Sequence, residues 1–179
     1  RHKMYADYKA TRKPMTEELR QQVPVIKEVL QPMNIEIIEK EGLEADDLLG
    51  TISRMCEEKG MDVSIISGDR DTLQLATEHV KIRIPKTKQG RTEVEDYNAA
   101  EVEEHYGVTP KEFIDVKALM GDASDNIPGV PGIGEKTATK IIQQYKSIEN
   151  AYEHADELKP PRASKNLKEY WEQAKMSKV

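Results

Sequence analysis

Carboxylates set against apolar runs narrow what this chain can fold into more than any other feature. Glu44, Asp46 and Asp47 fall within four positions at the head of a leucine-bearing stretch, Gly42-Leu-Glu-Ala-Asp-Asp-Leu-Leu-Gly50. Asp69 and Asp71 follow the apolar run Val63-Ser-Ile-Ile66, and Asp122 and Asp125 follow a helical pattern that ends at Met120. Such groups repel one another, and desolvating each ion costs several kcal/mol. A fold that accepts them must place them at the ends of its elements and supply something positive nearby.

Periodicity and punctuation locate those elements. Residues 16–31 carry an amphipathic pattern with Thr16 as N-cap, Glu17 and Glu18 at the positive end of the dipole, and Leu19, Val23, Ile26 and Leu30 on one face. Pro24 is expected to kink or divide that helix. Ile35-Glu-Ile-Ile38 reads as a strand, 45–59 as a helix stopped by Gly60, Val63–Ile66 as a buried strand and Val80–Ile84 as a half-exposed one. Beyond a polar turn at Lys86–Gly90 the chain is expected to be helical. Thr109-Pro-Lys-Glu112 is a capping box with proline at N1, opening a helix through Phe113, Val116, Ala118, Leu119 and Met120. The Pro- and Gly-rich stretch 125–134 has no regular period. A helix follows at about 135–145, Ser147 caps a short one, and Pro160-Pro161 precedes a last basic helix.

Strand, helix and strand at this spacing predict an α/β fold with a mostly parallel sheet flanked by helices. Sites in such sheets form in the crevice beyond the carboxyl ends of the strands. Asp69 and Asp71, two apart on an extended segment, are expected to point to one side, and Asp122 and Asp125 share a face if their loop makes one turn. Seven carboxylates meeting there call for a cation. Without a cysteine cluster or paired histidines, oxygen donors favour magnesium or manganese over zinc. A pair of such ions suits phosphodiester hydrolysis. Taken one group at a time, the same residues also read as ordinary caps and turns.

The net charge of −6 argues against a nucleic-acid partner only until it is divided along the chain: residues 1–13 and 159–179 each carry +4, leaving −14 between them. The basic opening interleaves Tyr5 and Tyr8 with Lys9 and Arg12, three apart and on one face if helical, as on surfaces that grip nucleic acid by charge and stacking. Gly129 through Thr137 nearly forms a phosphate-binding P-loop, but Glu135 intervenes and no strand precedes it. A Gly132-Ile-Gly134 hairpin between helices instead exposes backbone N–H groups that can hold a DNA phosphate without reading bases. Cys56, the single cysteine, is spaced as a core thiol, and no apolar run approaches membrane-spanning length.

Together, Tyr5-Ala-Asp-Tyr-Lys-Ala-Thr-Arg12, the 42–50 stretch, Ser67-Gly-Asp-Arg-Asp-Thr-Leu-Gln-Leu75 and Gly121–Ala138 resemble the 5′-to-3′ exonuclease (flap endonuclease) domain of bacterial DNA polymerase I, over essentially the whole chain. The resemblance implies a PIN-like or resolvase-like α/β nuclease core at 1–96, with a basic arch segment at 1–15. It implies a helical region at 97–179 that contains a helix-hairpin-helix at about 120–155 and a basic C-terminal helix. It implies Glu44, Asp46, Asp47, Asp69, Asp71, Asp122 and Asp125 as metal-site carboxylates for two or more Mg2+ or Mn2+ ions, with Asp47 and Asp69 catalytic. Lys9 and Arg12 would act on the scissile phosphate beside Tyr8, and Gly132, Gly134, Lys136 and Thr137 would hold duplex DNA, with K+ at the hairpin.

The partners implied are DNA with 5′ flaps, nicks or RNA primers and a polymerase domain in the same parent chain. The protein would be a cytoplasmic, nucleoid-associated monomer with no membrane contact. Family members open on a strand carrying an Asp, with a later strand supplying another. Neither precedes Arg1 here, so the chain by itself is expected to fold incompletely and to cleave poorly. Two other readings stand beside the nuclease. A DNA-binding module with a vestigial acidic cluster would bind flaps without cutting, whereas a small-molecule phosphatase would leave the hairpin and basic ends without a role.

Overall fold

The computed structural model describes residues 4–88 and 90–178; Arg1, His2 and Lys3 of the basic opening, Gln89 of the polar turn and Val179 lie outside the described residues. After a series of turns, helix α1 (Glu17–Leu30) runs unbroken with Pro24 inside it and buries none of its residues. The expected division at Pro24 does not occur, and Thr16 caps the helix without a side-chain hydrogen bond. Ile35–Ile38 forms no strand. It carries no regular secondary structure and is mostly exposed, and no described strand pairs with it.

Helix α2 (Ala45–Glu57) ends in turns at Gly60, whose φ of +74° suits only glycine without strain. Cys56 on it is half-buried rather than a core thiol. Strand β1 (Val63–Ile66) pairs parallel with β2 (Val80–Lys88), and β2 pairs antiparallel with β3 (Arg91–Tyr97), giving the order β1-β2-β3. The sheet is therefore mixed, with one parallel ladder. β3 replaces the helix expected directly after Gly90. Its sequence, Arg91-Thr-Glu-Val-Glu-Asp-Tyr97, shows no apolar alternation because almost all of it is exposed. Cross-strand pairs hold it instead: Lys86 with Glu95 at 2.5 Å and Arg83 with Asp96 at 2.9 Å.

The helical remainder follows its caps. α3 (Ala99–Tyr106) starts at Asn98, and α4 (Pro110–Met120) starts at the reciprocal Thr109–Glu112 box, with bonds of 3.2 and 3.0 Å. A hairpin of two short strands, β4 (Gly121–Asp122) and β5 (Ile127–Pro128), leads into α5 (Glu135–Tyr145) and α6 (Ile148–Glu153), the latter capped by Ser147. The final basic helix is two, α7 (Pro161–Glu169) and α8 (Trp171–Lys178). One core joins the sheet to these helices through Val80, Ile82, Leu119, Ile142, Ile148 and Leu167. α4 is its axis. It points Phe113, Val116 and Leu119 inward, while its buried Asp115 accepts the Ile148 N–H at 3.0 Å and pairs with Lys178 at 2.7 Å, tying α6 and α8 to it.

Candidate active site

The acidic groups reach one place through three local structures. At the head of α2, Glu44 is the N-cap, and its own N–H donates to Asp47 Oδ2 at 2.9 Å in a capping box. Asp46, between them, faces a cavity of about 520 Å³. After β1 the chain turns into a short 3₁₀ helix, Arg70–Leu75, rather than staying extended. Asp69 caps it by accepting the Asp71 N–H at 2.9 Å, and both acids still line the cavity. In the β4–β5 hairpin, Asp122 Oδ1 accepts from the Ser124 N–H at 2.8 Å and the Ser124 hydroxyl at 2.6 Å, and the turn carries Asp125 to the same side.

Six of the seven expected carboxylates, Glu44, Asp46, Asp69, Asp71, Asp122 and Asp125, thus share the cavity wall. Asp47 is not on that wall; its Oδ2 accepts the Glu44 N–H instead. The opening segment closes the other side. It is a run of turns rather than a helix, with Ala10 N–H donating to Asp7 O and Arg12 N–H to Lys9 O, both at 3.0 Å, and with Lys9 itself left-handed at φ +58°. The Lys9 N–H donates to Asp125 O at 2.8 Å, so this segment docks on the hairpin turn. Tyr8 is only 5% exposed and its hydroxyl donates to Glu44 Oε2 at 3.1 Å and Asp125 Oδ2 at 3.3 Å. Its ring is largely covered, while the residue lines the cavity.

The cavity holds its own cations. Lys9 Nζ lies 2.6 Å from Glu44 Oε2 and 3.8 Å from Asp125 Oδ2, and Arg12 pairs with Asp125. Lys117 Nζ lies 2.6 Å from Asp122 Oδ2 and 3.0 Å from Asp71 Oδ1. Lys178 also lines the wall, so four cationic side chains face six carboxylates. Lys117 was not foreseen, although a lysine inside the apolar run Phe113–Met120 is a legible signal. Lys178 leaves no such trace.

Burial raises the Asp46 carboxyl, and Asp69, Asp71 and Glu44 add to it. Burial likewise raises Asp71, and together with Asp69 and Asp122 it outweighs the lowering by Lys117. Burial would raise Asp122 too, but Lys117 and Ser124 outweigh it and hold that carboxyl at about 2. Lys117 stays charged: burial pulls it down, and its hydrogen bond to Asp122 and the charge of Asp71 beside it more than reverse that.

The donor set is hard oxygen, and it suits a divalent ion in kind. Asp71 Oδ1 is buried and receives no directed hydrogen bond, although Lys117 stands beside it. Among the described residues no three ligating side chains converge tightly enough to hold an ion as they stand. Ammonium groups occupy the gaps between the carboxylate pairs.

The Gly132–Gly134 hairpin lies outside this cavity, on the loop continuing from β5. Gly132 has φ +79°, and Gly134 caps α5 without a side-chain bond; Lys136 is exposed and Thr137 half-buried. α7 and α8 hold the loop, Asn166 Nδ2 donating to Pro131 O and Gln173 Nε2 to Gly129 O, each at 2.6 Å. No helix among the described residues is long and apolar enough to cross a membrane.

Comparison with known proteins bears on both halves. A family model of the 5′-3′ exonuclease N-terminal resolvase-like domain matches residues 1–107, and one of the 5′-3′ exonuclease C-terminal SAM fold matches 108–179. DNA polymerase I of Bacillus caldotenax is 45% identical over 178 residues, covering 99% of this chain and 20% of that protein. DNA polymerase I of Streptococcus pneumoniae strain R6 is 44% identical over 179 residues, covering 100% of this chain and 20% of the relative. The chain therefore spans about a fifth of the length of the curated relatives it matches.

Among solved structures, the T5 5′-exonuclease with bound divalent metal ions (zinc) superposes with a TM-score of 0.78 at 26% identity, over 99% of this chain and 67% of that one. A bacteriophage T5 flap endonuclease variant, in a complex with DNA and metal ions, gives 0.79 at 25% identity, over 99% and 67%.

Proposed function

This chain belongs to the 5′-3′ exonuclease family, and we propose that its acidic cavity hydrolyses phosphodiester bonds in DNA bearing 5′ flaps, nicks or RNA primers, with divalent metal. One observation carries the reading: six carboxylates from three separate segments line a single cavity, and one of their oxygens is buried without a directed donor. Burial of that kind is tolerated where a ligand completes it.

Glu44, Asp46, Asp69, Asp71, Asp122 and Asp125 would hold two or more Mg2+ or Mn2+ ions. Bound there, such ions supply a hydroxide at neutral pH and stabilise the leaving oxygen. Arg12, with a side chain 49% exposed, can turn from Asp125 to a phosphate at the cavity mouth, and Lys9 beside it can do the same. Tyr8 positions rather than binds: its hydroxyl fixes Glu44 and Asp125 relative to each other. Asp47 acts by shaping the α2 terminus.

The Gly132–Gly134 hairpin, with Lys136 and Thr137, would seat the duplex through backbone N–H groups, with K+ as an additional ligand there. We further propose that the intact protein is monomeric and cytoplasmic and carries a polymerase domain in the same chain.

The test is release of product from an end-labelled 5′-flap duplex with Mg2+ and with chelator. Cleavage, even slow, that requires metal supports the nuclease. Flap binding that survives chelation without any cleavage on adding Mg2+ or Mn2+ identifies a binding module instead.

A further inference from the structure

We propose that Lys117 is a built-in counter-cation of the metal site, an ammonium that divalent ions must displace, so that metal uptake here is an exchange rather than an addition. The inference rests on the metal reading above and concerns the energetics of that same site.

Its ground is where the ammonium sits. Lys117 projects from the last turn of α4 and bridges carboxylates of two other elements, Asp71 of the 3₁₀ helix at 3.0 Å and Asp122 of β4 at 2.6 Å. A magnesium-sized ion binds oxygen at about 2.0–2.1 Å. An ion shared by those two carboxylates would lie in the gap the ammonium fills, and a +1 and a +2 charge do not share it.

The bridge is also incomplete. Asp71 Oδ1 is beside Lys117 yet receives no directed hydrogen bond, so the lysine offsets its charge without satisfying its lone pairs. A stronger Lewis acid gains what the lysine leaves unused. The side chain has somewhere to go, being 23% exposed on the wall of the open cavity. Asp46 and Asp69, on the same wall, have no cation within ion-pair distance among the described residues, so two carboxylates without an ion-pair partner stand ready for an incoming ion.

The arrangement gives the ammonium two opposed effects. It stabilises the metal-free chain by neutralising crowded acids, and it lowers metal affinity by competing for them. An ordinary structural ion pair has the first effect without the second. A lysine whose role is only to contact the DNA phosphate alters neither metal affinity nor metal-free stability in the absence of DNA.

Direct Mn2+ titration of the unmodified chain and of Lys117→Met, Lys117→Gln and Lys117→Arg, without DNA, separates these possibilities. Thermal unfolding of each in chelator and in excess Mn2+ runs alongside. The neutral variants are expected to bind Mn2+ at least tenfold more tightly, to melt lower in chelator, and to gain more from Mn2+ than the unmodified chain. Lys117→Arg is expected to keep weak binding. Neutral variants that are folded by circular dichroism but bind Mn2+ no more tightly than the parent overturn the proposal. A neutral variant unfolded in chelator is titrated for refolding by Mn2+, and failure to refold counts against the proposal equally. An Arg variant as tight as Met also overturns it. If neither the parent nor any variant binds Mn2+, the metal reading itself fails, a result distinct from unchanged affinity.

Discussion

Asp69 and Asp46 both face the cavity with no cation in ion-pair reach among the described residues, yet they differ in what else they do. Asp69 caps the 3₁₀ helix through the Asp71 N–H, so Asp69→Ala removes a charge and a cap together, and losing such a cap costs about 0.5–2 kcal/mol. Asp69→Asn keeps an acceptor oxygen and removes only the charge. The expected outcome is that Asn leaves the chelated protein as stable as the parent or more so, that Ala lowers its melting temperature, and that both lose metal-dependent cleavage. Melting in chelator checks this; equal melting of the two variants would show that the cap carries no weight. The position of both acids was readable from sequence, because helix starts and strand ends announce themselves locally. The engagement of Asp47 by the Glu44 N–H and the burial of Tyr8 were not. A capping box and a metal ligand are written with the same letters, and only packing decides whether a tyrosine beside a lysine faces solvent or core.

Among elements, the β4–β5 hairpin carries two of the acids and has no slack. A Cβ on Gly129 would lie 2.2 Å from Met120 C, and one on Gly121 would lie 2.2 Å from Gly129 N. Gly129→Ala is therefore expected to destabilise by about 1–3 kcal/mol or more through backbone displacement. It should also weaken Mn2+ binding, since Asp122 and Asp125 move with the hairpin. Gly134 is the contrast, with open space where a Cβ would go and φ at −91°. Gly134→Ala is expected to leave melting nearly unchanged yet weaken binding to duplex DNA, provided the backbone there must approach a phosphate closely. Unfolding and duplex titration of both variants check the pair, and full duplex affinity in Gly134→Ala would remove the hairpin from the interface. The helices on either side of this loop were legible because the Thr109 box, Pro110, Ser147 and Pro161 are local signals. The strands were less so. Ile35–Ile38 has the composition of a strand but no partner in the described structure, whereas β3 has a partner and cross-strand charges but no apolar pattern. Pairing is a tertiary fact that one segment's letters do not contain.

Across the whole molecule, the acids titrate in opposed directions, which gives the metal-free chain a characteristic stability profile. Asp122 is depressed to about 2 from an unfolded value of 3.8, so the stability it contributes is present above 3.8 and lost as pH falls through that window. Asp46 and Asp71 are raised, so their folded forms favour the proton, and their ionisation erodes stability as pH rises through their folded values. In chelator, melting is therefore expected to fall as pH drops below 3.8 and Asp122 takes up its proton, and to lose a contribution from Asp46 and Asp71 as pH rises above 3.8. Divalent metal is expected to reverse the second half of that profile if bound cations hold Asp46 and Asp71 ionised, and binding to the folded form alone stabilises by RT ln(1 + [L]/Kd). At a hundredfold excess over Kd that is about 2.7 kcal/mol, which for a chain of this size raises melting by roughly 5–10 °C. Parallel melts across pH in chelator and in Mg2+ check both parts at once. Coincident profiles would mean that the crowded acids are compensated by Lys9, Arg12 and Lys117 alone and that no metal joins them.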